Sequence, residues 1–141
     1  MRTMALDLGT KTIGVAVSDV TGLIARGVET LHRQGNVKDF ARLDEIIHQE
    51  EVNVVVIGYP KNMNGSIGER AKASEAYREE LAKRYPQMKI VLWDERLSTV
   101  AAEKVLVAAD MQRKKRRKII DMMAAVVILQ NYLDSQGGAK L

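Results

Sequence analysis

The chain has 141 residues, 46% of them apolar, and no cysteine: enough for one domain with a proper core over residues 1–141, and no thiolate chemistry or disulfide framework. Its longest apolar run, Met122 to Leu129, falls well short of the roughly 18 residues of a membrane span, and Asp7 and Gly9 break the opening run too early for a signal peptide, so a cytoplasmic protein without a membrane partner is expected. The net charge of +4 is local: Arg113-Lys114-Lys115-Arg116-Arg117-Lys118 is uninterrupted positive charge, and the remaining residues carry 16 basic against 18 acidic side chains.

Arg2 to Leu8 alternates as a strand, with Met4, Leu6 and Leu8 on one face and Ala5 and Asp7 on the other. After the turn Gly9-Thr10-Lys11, Thr12 to Ser18 alternates again and predicts a hairpin. Asp19-Val20-Thr21-Gly22 has the Asp and Gly of a type I turn and leads to a third strand around Leu23 to Leu31. Phe40, Leu43, Ile46 and Ile47 have helical spacing behind Asn36, a candidate cap. Val52 to Gly58 is a β-branched run suited to a strand buried on both faces, followed by a loop from Tyr59 to Gly68. A charged helix over 70–85, a strand over 89–93, a helix from Ser98 or Thr99 to about Asp110 and a final helix over 116–135 complete the chain. The order predicts an α/β fold: an antiparallel β1-β2-β3 meander, then parallel strands, in one mixed sheet flanked by helices.

Three acids stand in apolar surroundings. Asp7 interrupts Met4-Ala5-Leu6-Asp7-Leu8, Glu95 ends Ile90-Val91-Leu92-Trp93-Asp94-Glu95, and Asp121 borders the most apolar stretch of the chain. A buried carboxylate needs a hydrogen-bond donor, a basic neighbour or a metal ion. Each acid alone has a plainer reading: Asp7 as a turn former, Glu95 paired with Arg96, and Asp121 paired with Lys118 or Arg117 on its own helix. Asp121 shares its helical face with Ala124, Ala125 and Ile128, and Asp7 shares its strand face with Ala5, so the two acids could meet across a layer of small side chains. The basic run just before Asp121 suits either a solvated helix start or a contact to a phosphate backbone. His32 and His48 lack metal-ligand spacing and read as surface residues.

Four segments carry a wider resemblance: Asp7-Leu8-Gly9 with Gly14-Val15-Ala16-Val17-Ser18-Asp19, Gly58-Tyr59-Pro60-Lys61-Asn62-Met63-Asn64-Gly65, Asp94-Glu95-Arg96-Leu97-Ser98-Thr99, and Ile120-Asp121-Met122-Met123-Ala124-Ala125. In this order they resemble the YqgF (RuvX) family over nearly the whole chain. That family comprises RNase H-like proteins described as Holliday junction resolvases or pre-16S rRNA nucleases. The resemblance implies an RNase H-like fold with a five-stranded mixed sheet, and places the family's metal-binding, catalytic acids on Asp7, Glu95 and Asp121. It departs from RuvC-type resolvases, which carry a further carboxylate where this chain has Ala124.

On that resemblance the expected activity is divalent-metal-dependent phosphodiester hydrolysis with Mg²⁺ or Mn²⁺, acting on the 5′ end of precursor 16S rRNA and so meeting ribosomal precursor particles. The alternatives are a junction-cleaving DNA endonuclease acting on branched or single-stranded DNA, and a non-catalytic module binding structured RNA. Lys11, Arg96 and Arg113 to Lys118 (Arg113, Lys114, Lys115, Arg116, Arg117, Lys118) are expected to neutralise phosphates, and the loop with Asn62 and Asn64 to contact the strand. Four Tyr, one Trp and one Phe offer few stacking platforms, which favours backbone and shape recognition over base reading. Asp7-Leu8-Gly9-Thr10-Lys11 also looks like the phosphate hairpin of actin-type ATPases, but those need two lobes and this chain has room for one.

Overall fold

The computed structural model describes residues 2–62, 64–94 and 113–136, with the side chains of 113–121 left out of the description. The strands are β1 (Arg2–Leu8), β2 (Thr12–Ser18), β3 (Ala25–His32), β4 (Val52–Tyr59) and β5 (Lys89–Asp94); the helices are α1 (Asn36–Gln49), α2 (Glu69–Arg84) and α3 (Arg113–Ser135). The helix expected from Ser98 or Thr99 to Asp110 lies outside the described residues. The strands form one sheet in the order β3-β2-β1-β4-β5. β2 is antiparallel to both β1 and β3, whereas β4 is parallel to both β1 and β5. This is the expected mixed sheet.

Its two faces differ in side-chain size, and alternation along each strand is the cause. Met4, Leu6, Ile13, Val15, Val17, Val55 and Ile57 point to the face covered by α1 and α2, where they pack with Phe40, Leu43, Ile46, Tyr77 and Leu81. Ala5, Ala16 and Val56 point to the other face, against Ala125, Ile128, Leu129, Tyr132 and Leu133 of α3. Ala5, Ala16 and Ala125 are fully buried, so the methyl groups let α3 sit close to the centre of the sheet.

Several element boundaries shift by one to three residues from the sequence expectation, and three of the shifts have a visible cause. β3 begins at Ala25 rather than Leu23 because the Asp19 carboxylate accepts from the Leu23 and Ile24 amides, at 3.1 and 3.2 Å, and holds both in the turn. The turn itself forms as predicted, with the Gly22 amide donating to the Asp19 carbonyl at 3.1 Å. Asn36 is the first residue of α1 and not its cap; Gly35, at φ 106°, takes the cap position, which a side chain would strain. The buried Asp39 carboxylate instead accepts from the Gln34 amide at 3.0 Å. α3 starts three residues earlier than predicted, since Arg and Lys are good helix formers and carry the basic run into its first turns. His32 and His48 are exposed, as expected.

Gln130 fixes the direction of α3. Its side chain accepts from the Ala25 amide at 3.0 Å and donates to the Leu23 carbonyl at 2.9 Å, while Met122 lies against Gly27 further along β3. Moving back along α3 therefore means moving forward along β3. β3 runs the same way as β1, because both are antiparallel to β2, so the N-terminal half of α3 lies towards the carboxyl end of β1.

Candidate active site

β1, β4 and β5 end at Leu8, Tyr59 and Asp94, so their carboxyl ends share one edge of the sheet, the side on which α/β folds assemble their sites. Asp7 stands one residue from that edge, half-buried. Across the sheet its row continues on one side to Gly14 and then Thr30. On the other side β4 advances in step with β1, pairing Ala5 with Val56 and Leu6 with Ile57, so Gly58 follows beside Asp7 and is paired in turn with Trp93. Both glycines are buried. The carboxylate of Asp7 thus rises between two strands that present no side chain beside it.

Spacing carries the N-terminal part of α3 towards the Asp7 end of β1. Asp121 precedes Ala125 by four residues, about 6 Å of helix. Asp7 follows Ala5 by two residues, about 6.7 Å of strand. Ala5 and Ala125 belong to one packed cluster, and α3 runs antiparallel to β1. The two acidic positions therefore leave the alanine layer in the same direction, towards the carboxyl edge of β1. The Asp121 side chain is outside the description, as are Glu95 and Arg96, which follow directly on Asp94. Trp93, two residues before Glu95, packs on the α3 face, edge-on to Tyr132 with ring centroids 5.5 Å apart.

The remaining expected residues divide. Lys11 is exposed on the β1–β2 turn at the site edge. Asn62 and Asn64 lie on the loop after β4, where both amides bond to Ser66: Asn62 donates to its hydroxyl at 2.9 Å, and Asn64 accepts from its amide and hydroxyl at 3.0 and 2.7 Å. Their first task is therefore to shape the loop. Arg113 to Lys118 form the first turns of α3, with side chains outside the description.

Two basic residues not singled out from the sequence join this edge. Arg33 donates to the Gly9 carbonyl at 2.8 Å and Arg70 to the Leu8 carbonyl at 3.1 Å. They line, with Thr10 and Tyr77, a cavity of about 100 Å³ below the turn. Their sequence neighbourhoods, a strand end and a charged helix start, carry no signal that would single them out. Gly58 and Gly14 did carry one, since glycine inside a strand often marks a place where something approaches closely. Tyr59, also at this edge, donates to Glu75 at 2.6 Å; that bond holds its phenol above the usual range, so it stays protonated. A larger cavity of about 530 Å³ lies at the opposite end of β4, between Val52, Asn53 and segment 84–88, remote from these acids.

Among the described residues no three His, Asp or Glu side chains form a metal-binding group. The donor chemistry still fits a hard divalent cation: Asp7 offers carboxylate oxygens beside two glycines, on the face approached by the helix that carries a second Asp. No helix among the described residues is long and apolar enough to cross a membrane.

This architecture is shared with nucleic-acid resolvases. RuvC of T. thermophilus in complex with a Holliday junction substrate superposes with a TM-score of 0.60 at 15% identity, covering 98% of this chain and 96% of that one. The fowlpox virus resolvase in complex with Holliday junction DNA gives 0.60 at 13% identity, covering 96% and 99%. At such identities the likeness defines the fold, which is RNase H-like.

Sequence comparison then specifies the family. The profile described as "RuvX: Holliday junction resolvase" matches residues 1–135. A protein of Geobacillus kaustophilus is 56% identical over 138 residues, covering 96% of this chain and 99% of its own length, and one of Staphylococcus carnosus is 54% identical over 134 residues, covering 94% of each. Both bear the name "Putative pre-16S rRNA nuclease". The chain belongs to the RuvX family.

Proposed function

We propose that the protein is a divalent-metal-dependent nuclease that trims the 5′ end of precursor 16S rRNA. The observation that carries the reading is Asp7: a half-buried carboxylate between Gly14 and Gly58, on the sheet face covered by α3, the helix that carries Asp121. The names of relatives more than 50% identical over nearly the whole chain support precursor rRNA as substrate.

Asp7 serves as the central carboxylate, with Glu95 and Asp121 completing an oxygen-donor set. A bound Mg²⁺ or Mn²⁺ would supply an acidified water and Lewis-acid relief of charge on the phosphate. Ala124, fully buried in α3, leaves the set at three acids where RuvC-type enzymes have a fourth. Glycines at 14 and 58 keep the approach to Asp7 open to a phosphodiester. Lys11, Arg96 and the basic run Arg113 to Lys118 offset phosphate charge along the strand. Asn62 and Asn64 present the loop after β4 to that strand, mainly through the backbone they shape.

Recognition through backbone and shape follows from where the aromatic rings are. Phe40 stacks on Tyr77, Trp93 meets Tyr132, and Tyr85 donates to Asp44, so most rings are engaged inside the fold. Few are left to stack on bases.

The test is a cleavage assay with Mg²⁺ and with Mn²⁺ on precursor 16S 5′-leader RNA, single-stranded RNA and DNA, and four-way junction DNA, run beside Asp7→Asn. Metal-dependent cleavage of the precursor RNA by the native chain, abolished in a folded Asp7→Asn protein that still binds RNA, is the expected result. Cleavage that survives in Asp7→Asn would overturn it. The family description favours one second reading, a junction endonuclease; preferential cutting of the four-way junction would replace the RNA assignment with that one.

A further inference from the structure

Four hydrogen bonds meet on the five residues after Asp7. The Gly9 amide donates to the Thr12 carbonyl at 2.8 Å, closing the β1–β2 turn, and the Arg33 amide donates to the Lys11 carbonyl at 2.9 Å. The Arg33 guanidinium donates to the Gly9 carbonyl at 2.8 Å, and Arg70, from the first turn of α2, donates to the Leu8 carbonyl at 3.1 Å. Two arginines, one from beyond the end of β3 and one from α2, thus hold the carbonyls of the two residues immediately following Asp7.

Arg33 is itself held. Its Nε lies 3.7 Å from the Asp39 carboxylate, which is buried in α1 and also accepts from the Gln34 amide. Its guanidinium lies 5.8 Å from the ring centre of Tyr77 on α2. Only a planar fork can face Asp39 with one nitrogen while donating to Gly9 with another; a lysine has a single nitrogen to offer. Arg70 makes its recorded bond from an exposed position, so a lysine there could reproduce it. Glycine at position 9 suits the same turn, since a Cβ there would stand 3.0 Å from the Thr12 carbonyl oxygen and press the turn outward by a few tenths of an ångström.

We infer that Arg33 and Arg70 are positioning residues that clamp the β1–β2 turn, fixing Asp7 and Lys11 relative to the carboxyl edge of the sheet. The inference rests on the reading of Asp7 as the central carboxylate. The clamp acts through the backbone of residues 8–11, with Asp39 as the buried anchor of Arg33. Misplacing a reacting group by about 1 Å can cost up to roughly 100-fold in rate, so a partial loosening of the turn should cost about tenfold in kcat with KM little changed.

The experiment compares Arg33→Lys, Arg70→Gln and Arg70→Lys with the native chain in two measurements. The first is hydrogen exchange at the amides of Gly9 and residue 33. The second is kcat and KM for the cleaved nucleic acid over a range of salt. Arg33→Lys keeps a positive charge beside Asp39 and so spares the fold. The expected result is faster amide exchange and about tenfold lower kcat in Arg33→Lys and Arg70→Gln, with Arg70→Lys recovering most of both. Unchanged exchange at both amides would overturn the clamp. So would a loss confined to KM and to its salt dependence, which would make Arg70 a phosphate contact instead. Should the native chain cleave nothing, the nuclease reading fails, while the exchange measurement still decides whether the arginines hold the turn.

Discussion

Replacing Ala125 with Leu tests how packing sets the site. Ala125 is fully buried, in one packed cluster with Ala5 and Ala16 of the sheet. An isobutyl group in place of a methyl has no void to enter, and overpacking of this kind costs about 1–3 kcal/mol. With a urea slope of about 2 kcal/mol per molar, the unfolding midpoint should fall by roughly 0.5–1.5 M. The larger effect should be on catalysis. The helix must lift to accommodate the new side chain, and Asp121 lies one turn away; a shift of about 1 Å predicts a loss approaching 100-fold in kcat. Leu133→Ala is the control. It belongs to the same cluster about two turns further on, and should cost about 2–5 kcal/mol while the folded fraction keeps its activity. Urea titration and single-turnover cleavage measure the two quantities. An Ala125→Leu protein with native midpoint and native rate would refute the claim that the alanine layer sets the distance between α3 and Asp7.

Other perturbations probe separate parts of the account. In Gly27→Ala the new Cβ would stand 2.6 Å from Cγ and Sδ of Met122, so α3 or the methionine must move; a loss of about 1 kcal/mol, or roughly 4 °C in Tm, is expected by calorimetry. Glu50 accepts from Arg26 at 2.7 Å and from Arg2, and these bonds hold its carboxyl below the usual value of 4.5. A depressed folded-state pKa adds stability above the unfolded value and loses it as pH falls through the folded value. Glu50→Gln should therefore be less stable by about 1 kcal/mol at pH 7, with the difference closing as the pH drops below about 4.5, as read from denaturation across pH. Replacing Arg113, Lys114 and Lys115 with Ala should weaken binding to all nucleic acid sequences alike and flatten the log–log salt slope by about 2–3. An unchanged slope would remove the run from the binding surface.

Most of the fold was legible because the period of apolar residues reported burial directly. The alternation of Met4, Leu6 and Leu8 against Ala5 and Asp7 gave the strand and both of its faces, and the β-branched run Val54-Val55-Val56-Ile57 gave a central parallel strand. Boundaries moved where a side chain competed with the backbone pattern. Asp19 captured two amides that alternation had assigned to β3, and Gly35 took the cap position from Asn36 by adopting a positive φ. The close packing of α3 on the Ala5 face of the sheet could be anticipated from the small residues on each, since alanine spacing encodes close approach. Arg33 and Arg70 could not. Their partners are backbone carbonyls, which every residue carries, and Arg70 lies 62 residues from the carbonyl it holds. No periodicity marks such a pairing.

The proposed nuclease site requires Asp7, Glu95 and Asp121 to share one cation. Isothermal titration of Mn²⁺ into the native chain and into Asp7→Asn, Glu95→Gln and Asp121→Asn tests it without reference to any substrate. The expected result is saturable binding by the native chain that weakens at least tenfold in each of the three folded variants, with Asp7→Asn the most affected. Native-like titration by all three variants would contradict it.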